Sequence, residues 1–182
     1  MKLEIEELDL TDAFIIKPQE SHDERGSFVK LYTKELLEKK KIIPMFFEEF
    51  LTKSKKGVIR GLHYQSGEYS QAKLIRCVEG KIFDVILDLR TSSPTFGKWT
   101  SVILSDENLI SLFVPRGFAH GFIVRSKNAS VLYSCDNAYA ANYERGIIWN
   151  DPKLKIPWGM AMPILSERDR NWPQFKDAEY FE

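Results

Sequence analysis

The segment VIRGLHYQ, residues 58–65, places one histidine among polar side chains that can bind a substrate. His63 lies three positions after Arg60 and two before Gln65. A free imidazole has a reference pKa near 6.5, so at physiological pH it is largely neutral and can accept a proton. His63 is therefore a candidate general base, and the alternative is a core histidine bonded to a backbone carbonyl.

A metal site is the first chemical alternative for this histidine. Small β-barrels can hold a metal through a His-x-His pair together with a carboxylate and a third histidine. Here Gln65 occupies the position two after His63, and His120 stands alone in PRGFAHGF. The spacing disfavours a metal, so we expect a site without one.

Basic residues favour a catalytic role for His63 over a structural one. Arg25 lies in the turn-like segment HDERGSF, and Arg60, Lys73 and His120 lie in comparable segments. Gathered at one mouth, such a set suits a diphosphate or an enolate oxygen. Each of them taken alone is more often a solvated surface group.

The elements that must position these residues are short apolar runs separated by Gly, Pro, Asn or Ser. Runs such as AKLIRCV, KIFDVILDLR, HGFIVRS and ASVLYSC predict many short strands. Regular turn signals between them are typical of an all-β sandwich or barrel. The segment TKELLEKKK, residues 33–41, predicts one short helix. The last forty residues are richer in Pro and Trp and predict an ordered strap over the barrel.

Strand alternation indicates which side chains share a face. Lys73 points with Ile75 and Cys77, and the pattern leaves open whether this is the inner face. A lysine on an apolar inner face needs a negative partner or ligand. Tyr133 shares its face with small apolar residues, so we expect its ring inside the barrel and its hydroxyl at the mouth.

Length and composition limit the possible classes of protein. The 182 residues fit one domain, and 26 basic residues balance 26 acidic ones, so neither nucleic acid nor an acidic membrane is an expected partner. No apolar run approaches a membrane span, and the acidic start lacks the features of a signal peptide. Cys77 and Cys135 lie far apart in strand-like runs. We expect buried free thiols and a cytoplasmic protein.

Several motifs in order resemble one family over residues 14–173. HDERGSF, KKGVIRGLHYQ, QAKLIRCVEGKIFDVILDLRTSSPTFGKW, LFVPRGFAHGF and ERGIIWNDP are together similar to the dTDP-4-dehydrorhamnose 3,5-epimerase family. The resemblance implies a cupin-like jelly roll without a metal or other cofactor. It also implies a homodimer in which one subunit contributes to its neighbour's site. We expect one epimerase domain over 1–182, with a jelly-roll core at about 14–140 and the strap at about 141–182.

The resemblance also assigns roles to individual residues. It makes His63 the base and Tyr133 the opposing acid, with Asp169 orienting His63 and raising its basicity. Lys73 would lie near the keto oxygen of a nucleotide-linked 4-keto sugar. The remaining residues are expected to bind the substrate: Arg25 and Arg60 its diphosphate and sugar, Tyr139 its base, and Gln65 and His120 the pocket around it.

Three substrate-binding positions depart from the family's usual residues. The family commonly has glutamate at Lys30, glutamine at Glu48 and asparagine at Phe50. These departures affect recognition of thymidine more than epimerisation, because a site that pairs one base rejects another when its polar groups stay unpaired.

We therefore expect a cofactor-independent epimerase acting at carbon 3, carbon 5 or both, in surface-polysaccharide biosynthesis. The expected substrate is dTDP-4-keto-6-deoxyglucose or a GDP-linked 4-keto heptose. The departures at Lys30, Glu48 and Phe50 favour the GDP-linked sugar more than the name of the family would suggest. Two alternatives stay open: a 3,4-ketoisomerase of a nucleotide sugar, and a non-catalytic cupin that binds sugar nucleotides.

Overall fold

The computed structural model describes residues 2–40, 42 and 47–182. Within these ranges the chain forms thirteen strands and two short α-helices. The strands are β1 Leu3–Glu7, β2 Phe14–Pro18, β3 Glu20–Asp23, β4 Gly26–Val29, β5 Glu48–Lys55, β6 Ile59–Gln65, β7 Lys73–Glu79, β8 Lys81–Asp88, β9 Trp99–Ser105, β10 Ser111–Val114, β11 Phe118–Val124, β12 Asn128–Cys135 and β13 Glu144–Gly146. The helices are α1 Lys34–Lys39 and α2 Glu167–Arg170, with 3₁₀ turns at Gly67–Tyr69, Ala141–Tyr143 and Phe175–Asp177.

The strands form two antiparallel sheets and a separate hairpin. The six-stranded sheet has the order β1-β2-β10-β7-β12-β5, and the five-stranded sheet has the order β13-β6-β11-β8-β9. Strands β3 and β4 pair with each other. The sequence prediction of an all-β fold is confirmed.

The main core lies between the two sheets. It joins apolar side chains of β7 and β12 in one sheet to those of β8 and β11 in the other. Ile75 and Cys77 belong to this core, as do Val131 and Cys135. Because alternate residues of a strand share a face, Lys73 and Tyr133 also belong to the inner side. This settles the question that the alternation of AKLIRCV left open.

Each sheet is also covered on its outer side. Leu37 of α1 packs with Phe14, Leu74 and Phe113 on the six-stranded sheet. The outer face of the five-stranded sheet is covered by apolar residues of the C-terminal segment, which are Ile147, Leu154, Ile156, Trp158 and Phe175. Apolar groups on both faces of each sheet are thus removed from water. Burial of apolar surface is the main favourable contribution to the free energy of folding.

The predicted helix at 33–41 corresponds to α1. Thr33 is its N-cap, and the Thr33 hydroxyl accepts a hydrogen bond from the Leu36 N–H at 3.2 Å. Such caps satisfy an amide that has no partner within the helix. Lys41, the last residue of the prediction, lies outside the described residues.

The cysteines and the lengths of the helices bear on two further expectations. Cys77 and Cys135 are both buried and free, as predicted. Over residues 2–40, 42 and 47–182, no helix has the length and apolar character needed to cross a membrane.

Candidate active site

A pocket of about 450 Å³ opens between the two sheets and collects most of the predicted site residues. Those that line it are Glu48, Phe50, Arg60, His63, Gln65, Lys73, His120, Tyr133 and Tyr139. A second groove, of about 580 Å³, is lined by residues of β5, β7 and β12 together with Val58 and Arg60. No histidine or tyrosine is among its lining residues. The pocket between the sheets is therefore the candidate site, because it combines apolar walls with converging polar groups.

A change of register in β6 turns both Arg60 and His63 toward this pocket. In a regular strand two residues three positions apart point to opposite faces. Here His120 of β11 lies opposite His63, whereas Phe122 lies opposite Arg60, so β6 holds one extra residue. Gly61 occupies this bulge with φ of +124°, and a Cβ atom there would lie 2.4 Å from the Cα of Gly121. Glycine is thus required for the bulge that aligns the two side chains.

The imidazole of His63 is held by a carboxylate from the other end of the chain. His63 Nε2 hydrogen-bonds to Oδ1 of Asp169, although the two residues are 106 positions apart. Asp169 lies on α2, where the Ser166 hydroxyl accepts a hydrogen bond from the Asp169 amide at 3.1 Å. The indole Nε1 of Trp172 donates to the same carboxylate oxygen at 3.3 Å.

The environment keeps the Asp169 carboxyl ionised. Burial opposes ionisation, but the hydrogen bond and charge of His63, with help from Trp172, outweigh it and lower the pKa of Asp169. An ionised carboxylate can only accept, so Nε2 of His63 carries the proton of this hydrogen bond. The other ring nitrogen, Nδ1, is therefore the one able to take a proton from a substrate.

Tyr133 approaches the pocket from the opposite sheet. It lies on β12, opposite Ile75 of β7 and Phe50 of β5, and it is buried. Burial raises the pKa of the Tyr133 phenol well above its ordinary value, and the charge of Asp84 adds to the effect. The phenol thus keeps its proton at physiological pH, as a general acid must.

Lys73 brings its side-chain amine into the same pocket. Burial lowers the pKa of its ammonium group, while the thiol of Cys135 and the carboxylates of Glu144 and Glu48 act in the opposite direction. A weakly solvated ammonium group is a strong electrostatic partner for oxygen charge that develops in the pocket.

His120 forms a second histidine–carboxylate pair. Its Nε2 lies 2.9 and 2.8 Å from the two oxygens of Asp84, which is fully buried on β8. Burial raises the pKa of Asp84, and the contact with His120 acts against it. The pair fixes the ring of His120 in the pocket, where His120 lies directly opposite His63 in the pairing of β11 with β6.

Gln65, the last residue of β6, contacts the segment before β13, and that segment contains Tyr139. The Gln65 amide donates to the carbonyls of Tyr69 and Ala138 and accepts from the Ala140 N–H at 2.6 Å. These contacts fix the backbone around it. Gln65 also lines the pocket, and its predicted role in substrate binding stays a prediction. The Tyr139 hydroxyl donates to the Glu144 carboxylate at 2.8 Å.

Two predicted binding residues lie away from this pocket. Arg25 is on the β3–β4 hairpin with a side chain 89% exposed, and it binds Asp23 of the same hairpin at 2.5 Å. Lys30 follows that hairpin and is also exposed. Within one chain, neither is brought together with His63 and Tyr133.

A metal ion requires several donor side chains that converge on one point. In the part of the chain that the structure describes, no group of three or more His, Cys, Asp or Glu side chains could hold a metal ion. The two imidazoles of the pocket are instead each bound to a single carboxylate.

Comparison with known proteins places this site in a family. The family model described as dTDP-4-dehydrorhamnose 3,5-epimerase matches residues 7–177. The chain belongs to the dTDP-4-dehydrorhamnose 3,5-epimerase family. This confirms the predicted family and the predicted class of enzyme, an isomerase.

Individual members of the dTDP-4-dehydrorhamnose 3,5-epimerase family match over nearly their whole length. The Shigella flexneri dTDP-4-dehydrorhamnose 3,5-epimerase is 46% identical over 95% of this chain and 96% of its own. The crystal structure of the Elizabethkingia anophelis enzyme superposes with a TM-score of 0.93 at 43% identity, covering 98% of this chain and 99% of the other.

A third relative was solved with a sugar nucleotide. The Legionella pneumophila dTDP-6-deoxy-D-glucose-3,5-epimerase, in complex with dTDP-4-keto-L-rhamnose, has a TM-score of 0.92 at 38% identity, covering 98% of this chain and 95% of its own. These matches confirm the cupin-like fold expected from the resemblance.

Sequence reasoning missed three residues that touch the predicted ones. Asp84 interrupts the apolar run KIFDVILD, and a lone acid in such a run was a signal that it has a buried partner. Glu144 and Arg168 line the pocket and form an ion pair. Glu144 lies in the motif ERGIIWNDP, whereas Arg168 carries no local signal beyond its position next to Asp169.

Proposed function

We propose that this protein epimerises a nucleoside-diphosphate 4-keto sugar at carbon 3, carbon 5 or both, through an enolate. One observation carries the proposal: a carboxylate-bound imidazole and a protonated phenol face one pocket from two different sheets. Inversion of a carbon centre needs a base on one side of the sugar ring and an acid on the other. Walls formed by opposed sheets supply that arrangement.

The reaction uses the acidity that a ketone gives to its neighbouring carbons. His63 Nδ1 takes the proton from carbon 3 or 5, and the electron pair of the broken C–H bond moves onto the keto oxygen. Lys73 and His120 stabilise the oxygen charge, and Asp169 stabilises the imidazolium that forms. Tyr133 then donates its phenolic proton to the opposite face of the same carbon. The carbon is neither oxidised nor reduced, so the step requires no redox cofactor.

The other predicted residues would bind the nucleotide. Arg60 lines the pocket and carries a guanidinium that suits a diphosphate oxygen. Tyr139 is half exposed at the mouth, where its ring can stack on a base. We assign Glu48 and Lys30 to the rim of the same binding site.

In a homodimer, the residues of the β3–β4 hairpin would contribute to the binding site of the neighbouring subunit. Arg25 is exposed on a hairpin that pairs with neither of the two sheets in the described part of the chain. We propose that the hairpin of one subunit reaches the pocket of its neighbour, as the family resemblance implies. We also propose a single cytoplasmic domain, with residues 141–182 as a strap.

The nucleotide is proposed to be dTDP, so that the substrate is dTDP-4-keto-6-deoxyglucose. Support comes from the relatives above, which are named for dTDP sugars and match over nearly all of the chain. Glu48 and Phe50 are the observations in favour of a GDP-linked 4-keto heptose, since both line the pocket and depart from the family's usual residues. A surface-polysaccharide pathway would consume either product.

Exchange of hydrogen with solvent tests the proposal. The purified protein would be incubated with each 4-keto nucleotide sugar in deuterated water and followed by NMR. Deuterium should enter carbon 3, carbon 5 or both of the dTDP sugar, and His63→Asn should abolish the exchange. A protein that exchanges no hydrogen of any candidate is not an epimerase, and one that moves the carbonyl to carbon 3 is a ketoisomerase. Binding without exchange would indicate the non-catalytic cupin.

A further inference from the structure

Phe50 lies beside the proposed acid at the edge of the six-stranded sheet. It is directly opposite Tyr133 in the pairing of β5 with β12, and Ile75 of β7 is opposite Tyr133 on the other side. Directly opposed residues share a face, so the three side chains form one row across the sheet. Because β5 is the last strand, Phe50 is the member of the row nearest the solvent.

The ring of Phe50 stacks on the ring of Tyr133. The two centroids are 4.7 Å apart and the planes differ by 18°. His120 meets Tyr133 edge-on at 5.9 Å and 73°. Ile75 is fully buried, whereas Phe50 is 39% exposed. Of the side chains that surround the Tyr133 ring, Phe50 is therefore less tightly packed than Ile75.

We propose that Phe50 is a positioning residue that holds the Tyr133 phenol against the sugar and thereby sets the fate of the enolate. This inference rests on the proposed function. It also gives Phe50 a role different from the substrate binding predicted from the sequence. The ring need not touch the sugar, because it acts by confining the ring that delivers the proton.

The enolate has two ways to regain a proton. Tyr133 protonates the face opposite the base, which gives the inverted product. The protonated His63 can instead return a proton to the original face, which regenerates the substrate. In deuterated water the second route yields labelled substrate of unchanged configuration, once the imidazolium has exchanged with solvent. If the phenol is free to swing toward the edge of the sheet, more of the enolate takes the second route.

The experiment measures the ratio of labelled substrate to labelled product at low conversion, using dTDP-4-keto-6-deoxyglucose in deuterated water. Both species come from one enolate, so the ratio does not depend on how much of a variant is folded. Phe50→Asn should raise it by about twofold to tenfold, the range expected for loss of one aromatic pair. Phe50→Tyr keeps the ring and should restore a ratio close to that of the wild type.

Leu51→Asn is the matched control. Leu51 is the next residue of β5, is 49% exposed and points to the other face of the sheet, opposite Leu132. It should leave the ratio unchanged. An unchanged ratio in Phe50→Asn overturns the inference, as does an equal rise in Leu51→Asn.

Fluorine NMR separates this inference from the proposed function. The protein would be labelled with 3-fluorotyrosine, and the Tyr133 resonance assigned by its loss in Tyr133→Phe. Phe50→Asn should shift and broaden that resonance, whereas Leu51→Asn should not. A wild type that exchanges no hydrogen refutes the proposed function, and a Tyr133 resonance indifferent to Phe50 refutes the positioning role.

Discussion

Replacing Asp169 with asparagine removes the carboxylate that binds the proposed base. The change keeps the size of the side chain but removes the charge facing His63 Nε2. A hydrogen bond to a charged group contributes about 1.5–3 kcal/mol, which corresponds to roughly 10- to 150-fold in rate. An amide that donates to Nε2 also moves the ring proton to Nδ1, and a reversed tautomer of this kind can cost about 10⁴-fold. We expect kcat to fall by about 10- to 10⁴-fold.

The assay follows inversion of the 4-keto sugar by NMR, with thermal unfolding measured on the same samples. Asp151→Asn is the control, because Asp151 and Asp169 are both 3% exposed. The Asp151 carboxylate accepts from the amides of Lys153, Leu154 and Phe175 at 2.8–3.0 Å and does not line the pocket. It should lower stability while leaving kcat within about twofold of wild type. A folded Asp169→Asn protein whose kcat stays within about threefold of wild type would contradict the role given to the dyad.

Three further predictions concern the same pocket. Tyr133→Phe keeps the ring but lacks the acidic proton, so inversion should fall more than deuterium exchange; equal losses in NMR time courses would argue against Tyr133 as the acid. Lys73→Met keeps an apolar stem without the charge, and kcat should fall about 10²- to 10³-fold with a smaller change in KM, as steady-state kinetics will measure. The pKa of Asp169 is lowered in the folded state, so its contribution to stability is present above the unfolded-state value of about 3.9 and is lost as pH falls through the folded value. Urea titrations should therefore show the stability gap between wild type and Asp169→Asn shrinking below about pH 4, and a gap that widens there would reverse the sign of this linkage.

Alternation along single strands predicted much of the fold and part of the site. Tyr133 was expected to point into the barrel, and it lies in the main core with Val131 and Cys135. These features depend on neighbours in the sequence, and a period of two is enough to specify them. The short helix after residue 33 was also predicted from neighbouring residues, because its cap and its polar side chains are local in the sequence.

Contacts between distant segments could not be predicted from spacing. His63 and Asp169 meet only because the chain after β13 crosses the outer face of one sheet, and their pairing was expected from the family resemblance alone. The bulge at Gly61 also breaks the alternation that would have separated Arg60 from His63. Asp84 was missed because its partner lies on the adjacent strand β11, which local patterns do not identify.

The route of the chain to Asp169 has a consequence for biosynthesis. While the polypeptide is being made, all thirteen strands, the last of which ends at Gly146, leave the ribosome before the residues of α2. An unfinished chain would then contain His63 without its anionic neighbour. Chemistry on reactive ketones would thereby await the synthesis of α2, and chains shortened before Ser166 would lack the carboxylate that positions the base.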